Sequence, residues 1–172
     1  GVEVQVGTGG RLSFDAPQVE SIEWDIQNVE WQTGLHDFQG GDYASAAQAF
    51  QALTGDADSM RGFRETAKPY LAYLVGESFY RAGKHQDAVT AFESFMNEHK
   101  NSRYVPLAVG SLVDAAIQSK KYDKVPPLLA KLEALGGENK AKALIFGAEL
   151  DLVQGNTGGA ESKFNSAASS ST

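Results

Sequence analysis

Four times along this chain a small residue stands four positions before a bulky one: Ala46 and Phe50, Ala88 and Phe92, Val125 and Leu129, Ala160 and Phe164. The intervals between these pairs are 42, 37 and 35 residues. On a helix, positions four apart lie on one face. The small residue lets a second helix come close, and the bulky one fills the groove beside it. Unconnected helices have no reason to repeat that arrangement at near-constant spacing. The recurrence therefore predicts hairpins of helix stacked side by side, each covering the apolar face of the next.

Read in order, the chain changes character near residue 27. Val2, Val4 and Val6 alternate with Glu3 and Gln5, Gly7 to Gly10 supply a turn, and Leu12 and Phe14 resume the alternation. That pattern predicts a β-hairpin, with Val19 to Trp24 as a candidate third strand. The expected division is a β appendage over 1–26 and a helical domain over 27–172. Two or three such strands are marginal alone and need a cover.

Beyond it, Trp31 and Phe38 lie at helical spacing before a turn at Gly40-Gly41-Asp42, and Tyr43, Ala46, Ala47, Phe50 and Leu53 mark the second helix. An extra turn of helix is expected around 58–66, capped by Asp58 or Ser59. Tyr70 to Met96 forms the second pair, broken at Ala82-Gly83-Lys84. The third opens at an Asn101-Ser102 cap and ends at Gly136-Gly137, with Pro106, Pro126 and Pro127 confined to first turns. The fourth turns at Gly155-Asn156 and ends in a polar tail.

Gly76, Phe79, Gly83, Ala88 and Phe92 are spaced as in the tetratricopeptide repeat (TPR), a 34-residue helix-turn-helix unit that the stretch from Tyr70 to Met96 resembles. The resemblance extends over about 28–168. In the first pair Gly34-Leu35 stands for Leu-Gly and the turn reads one residue short. In the third pair Val113, Lys120 and Val125 replace small residues, and in the fourth Asp151 replaces an aromatic. What the resemblance implies is a mainly α, TPR-like right-handed solenoid of about four hairpins. Its first helices would line a concave groove that holds a peptide or partner helix.

Chemistry is sparse. With no Cys and only His36, His85 and His99, the chain has no thiolate site and no His pair at metal-ligand spacing. Gly7-Thr8-Gly9-Gly10 follows a strand, but a strand-like Arg11 to Phe14 follows it, so a turn is expected rather than a phosphate loop. Asp56-Ala57-Asp58 lacks the rest of a calcium loop. The expectation is no catalysis, no cofactor and no metal.

A net charge of −7 speaks against nucleic acid, whose phosphates call for clustered Lys and Arg. No stretch reaches the length of about 18 apolar residues that spans a bilayer. The first residue is Gly rather than Met, and a trimmed signal peptide is one reading of it. The expected compartment is then exported or periplasmic, and otherwise cytoplasmic.

One helical face carries Tyr70, Tyr73, Glu77 and Tyr80, apart from the Ala72, Val75, Gly76 and Phe79 face turned to the partner helix. Tyrosines combine contact area with a polar tip, as interfaces do. The resemblance places these four in the groove, with Asp114, Gln118 and Glu149 nearby. The rival reading packs the tyrosines onto residues 54–68 or the preceding helix. The function expected is a non-catalytic scaffold for a protein or peptide. Alternatives are a subunit assembled through the N-terminal strands, or small-molecule binding in the groove.

Overall fold

A computed structural model of the chain describes residues 2–6, 10–14, 28–61 and 63–170. Val2–Val6 (β1) and Gly10–Phe14 (β2) pair antiparallel, Val2 opposite Phe14 and Val6 opposite Gly10. The candidate third strand lies outside the described residues.

The helices begin where side chains or proline make beginning cheap. Asn28 accepts the Trp31 N–H at 2.8 Å and opens α1 (Val29–Gly40). Asp42 accepts the Ser45 N–H at 3.1 Å and opens α2 (Tyr43–Gly55). A single-turn α3 (Ala57–Arg61) follows. Its cap is Asp56, not Asp58 or Ser59: Asp56 accepts the N–H groups of both and the Ser59 hydroxyl, having the position where α2 has just ended. Pro69 and Pro106 sit in the first turns of α4 (Lys68–Arg81) and α6 (Val105–Gln118), and Pro126 in that of α7 (Val125–Leu135). Between these lies α5 (His85–Glu98). α6 starts later than the Asn101-Ser102 cap expected for it, because the Ser102 hydroxyl is taken by the Tyr104 N–H in a preceding turn. α8 (Glu138–Val153) and α9 (Thr157–Ser169) complete the helical part.

One turn geometry closes all four hairpins. After α4 the Lys84 N–H reaches back to the Phe79 carbonyl, with Gly83 at φ 72°. The same bond joins Asp42 to Asp37, Lys121 to Ala116 and Asn156 to Asp151. This six-residue closure needs a left-handed residue just before its donor. Gly41 (φ 85°) and Gly155 (φ 81°) provide it, and in the third hairpin Lys120 is forced to φ 59°. The first turn is therefore not a residue short: Gly34 precedes Ala46 by the interval that separates Gly76 from Ala88.

Stacking follows chain order: α2 meets α4, α5 meets α6 and α7 meets α8, so each hairpin's second helix covers the next hairpin's first. The column Ala46, Ala88, Val125 and Ala160 is buried throughout. Phe50 and Phe92 beside it are fully buried, whereas Phe164, in the last hairpin, keeps 39% of its surface exposed. Close approach is literal at two places. A Cβ on Gly34 would lie 2.5 Å from the Phe50 ring, and one on Gly76 2.5 Å from the Phe92 ring.

Candidate functional site on α4, α6 and α8

The offsets that carry Ala88 to Val125 and Ala160 carry Glu77 to Asp114 and Glu149. Three successive first helices thus place one carboxylate at the same helical position, and α4 contacts α6 as α6 contacts α8. Tyr80 donates its phenol hydrogen to Asp114 Oδ2 across the α4–α6 junction. Gln118 donates to Asp114 Oδ1 at 3.3 Å. Burial, then the Asp114 carboxylate, pushes the Tyr80 phenol above its ordinary range. Burial, then the negative charge of Asp114, raises the Glu149 carboxyl.

Glu77 is not the open anchor expected from its face. It is only 5% exposed. Its Oε1 accepts from Arg81 Nε at 2.7 Å and its Oε2 from the Ser111 hydroxyl at 3.0 Å. Arg81 in turn lies over the rings of Phe38 (5.2 Å) and Tyr43 (5.5 Å), so one ion pair ties the first two hairpins to the third. The bond to Glu77 is the main reason that the guanidinium pKa is raised.

Tyr70 and Tyr73 are half-buried, but their ring contacts are mostly with later elements rather than with residues 54–68 or the preceding helix. Both stack on Tyr104, at 5.1 Å and 5.5 Å between ring centres. Tyr70 also meets Trp31 edge-on at 6.0 Å, in the preceding pair. Tyr73 reaches Phe92 (6.2 Å) and Phe95 (6.4 Å), so its face is not separate from the one turned to the partner helix. Burial raises both phenols, with Tyr104 the lesser cause for Tyr70 and Glu77 for Tyr73.

The seven residues singled out from the sequence thus fall into three linked groups: Tyr70 and Tyr73 with Tyr104, Glu77 with Arg81, and Tyr80, Asp114, Gln118 and Glu149 across three helices. Missed were Tyr104, which lies in the turn before α6 where helical spacing does not reach, and Ser111. Also missed were Leu107, Ile145 and Leu152, exposed by 52%, 39% and 49%. The signal for those three was available, since they occupy the positions of Tyr70, Tyr73 and Tyr80 in later hairpins.

Among the described residues no group of three His, Asp or Glu side chains is placed to hold a metal ion. The His85 and His99 rings lie against Tyr80 and Phe95. Among the same residues no helix is long and apolar enough to cross a membrane.

Helix hairpins closed by one turn geometry, with each covering the next, define a helical-repeat protein. Residues 70–102, from the first turn of α4 through α5, match the family model of the tetratricopeptide repeat, and the helices described are consistent with a TPR-like repeat. No curated protein matches the chain.

Proposed function

We propose that residues 27–172 form a non-catalytic interaction domain, a right-handed superhelix of four hairpins. It binds a peptide or partner helix in its concave groove. Tyr70, Tyr73, Glu77, Tyr80, Asp114, Gln118 and Glu149 line that groove, with Leu107, Ile145 and Leu152 beside them. The observation that carries the reading is the exposure of those three aliphatic side chains, Leu107 on α6 and Ile145 and Leu152 on α8, on the faces that bear Asp114 and Glu149. Tyr70, Tyr73 and Glu77 act mainly by shaping the floor, since the chain's own groups occupy much of their surface.

The test is selection of a displayed random-peptide library on the wild-type domain, followed by binding of the enriched peptides to Ile145→Arg and Leu152→Arg. Both positions are exposed, so melting temperature should hold while affinity falls. Unchanged affinity in both variants refutes the groove.

A second reading draws on the N-terminal strands. Among the described residues β1 and β2 form a two-stranded sheet, a unit marginal by itself. In this reading residues 1–26 are an appendage whose strands join those of another chain, and a mass that rises with concentration supports it. Small-molecule binding has less support: an open hollow along α9 and another near Pro69 and His99 both lie away from the carboxylate row.

A further inference from the structure

The three carboxylates of the shared face differ in what neutralises them. Four residues after Glu77 stands Arg81, which closes on it. Four residues after Asp114 stands Gln118, and four after Glu149 stands Val153. Asp114 is therefore held by a neutral phenol and a neutral amide, and among the described residues neither it nor Glu149 forms an ion pair. Lys163, which reaches α8 from α9, is engaged by Asp151 at 2.6 Å. Burial, and after it the nearby charge of Asp114, holds the Glu149 carboxyl above its ordinary range.

The surroundings of this pair are those of a contact surface. Leu107 on α6 and Ile145 and Leu152 on α8 are large, aliphatic and exposed. Gly110, in the middle of α6, takes the Tyr73 position, and packing does not require a glycine there. The nearest atom to a Cβ at this site would be on the Phe146 ring, at 4.0 Å. A mid-helix glycine costs roughly 1 kcal/mol against alanine. Here it leaves a notch in the column between Tyr73 and Ile145.

We infer that the α6–α8 part of this face takes a cationic amphipathic polypeptide segment, whose Lys or Arg side chains supply the counter-ions that Asp114 and Glu149 lack and whose aliphatic side chains cover Leu107, Ile145 and Leu152. Charge complementarity selects this occupant over an acidic or purely apolar one. Packed helices lie about 8–10 Å apart, so the cations sit about one such spacing apart along the segment. The inference rests on the proposed groove and adds the sign of the partner's charge.

The experiment uses the same displayed library, with enriched sequences scored for Lys and Arg content. A synthetic peptide from the selection is then titrated against wild type, Asp114→Asn with Glu149→Gln, and Ile145→Arg. Expected are enrichment in Lys and Arg beside aliphatic residues and an affinity loss of about tenfold or more in the neutralised double variant, with its melting temperature unreduced. Affinity should also fall steeply with added salt. Enriched peptides that lack cations, bind the double variant as tightly as wild type and are still lost on Ile145→Arg overturn this inference and leave the groove standing. Peptides indifferent to every substitution overturn both.

Discussion

Gly76→Ala and Gly110→Ala are the same chemical change in two neighbouring first helices, and the structure assigns them opposite signs. Alanine raises intrinsic helix stability by about 1 kcal/mol over glycine. At Gly110 nothing opposes that gain, because the closest atom to the new methyl is 4.0 Å away on Phe146. At Gly76 the new Cβ would fall 2.5 Å from Phe92 Cδ1 and 2.6 Å from Cε1. Carbon contacts prefer about 3.5–4.0 Å, so the ring must retreat by about 1 Å. Phe92 is fully buried and has nowhere to go. Overpacking of this kind costs about 1–3 kcal/mol, before the propensity gain is returned. The propensity gain is common to both, so the two variants should differ by that overpacking cost, about 1–3 kcal/mol. For a chain of this size that is about 2–12 °C in melting temperature, Gly76→Ala below wild type and Gly110→Ala above it. Thermal and urea unfolding followed by circular dichroism measure both. Equal stability of the two variants would refute the close approach of α4 to α5 through Phe92.

The other expectations are smaller in scope. Phe92→Ala should cost about 3–5 kcal/mol and Phe164→Ala only about 1–2, since Phe164 already shows 39% of its surface to water; urea midpoints separate them. Lys120→Gly should stabilise by roughly 0.5–1 kcal/mol, because the left-handed backbone costs a side chain about 1–2 kcal/mol and glycine's freedom in the unfolded chain returns part of that. The Glu149 carboxyl titrates above its ordinary 4.5 in the fold, so it favours folding while protonated and disfavours it as pH rises through that folded value. Glu149→Gln should melt higher than wild type at neutral pH, the difference vanishing in acid, as a pH series of melting temperatures will show.

The hairpin array was legible because its determinants are local. A small residue four before a large one, a turn residue between helices and a proline in a first turn each act within a few residues, and one-dimensional spacing reports them. Lys120 was not legible as a left-handed turn residue. The six-residue closure from Lys121 to Ala116 imposes that conformation, and no property of lysine announces it. Asp56 and Asp58 are equally good caps on paper; the end of α2 decides between them. The site divides in the same way. Which side chains share a face follows from helical period, which grouped Tyr70, Tyr73, Glu77 and Tyr80, whereas Asp114, Gln118 and Glu149 on other helices came from the repeat resemblance. Whether a side chain on that face is free depends on neighbours far away in sequence, as Ser111 closing on Glu77 and Tyr104 stacking on Tyr73 make plain.

A repeat also supplies its own control. Residues at one position of successive hairpins meet the same backbone geometry, so a difference between them reflects something other than the fold. Phe92 and Phe164 differ because the second hairpin is covered by the third, whereas among the described residues no helix follows the fourth. Glu77, Asp114 and Glu149 are not explained that way, since all three stand on first helices packed against the hairpin before them. What changes along that row is the residue four places on: Arg81, then Gln118, then Val153. A fold that wanted the carboxylates only for its own stability would repeat the arginine or drop the acid. Keeping the acid while omitting its cation leaves charge facing outward, beside exposed Leu107, Ile145 and Leu152. That combination costs stability in the free chain and returns it only when a cation arrives from elsewhere, so the row is better explained by recognition than by folding.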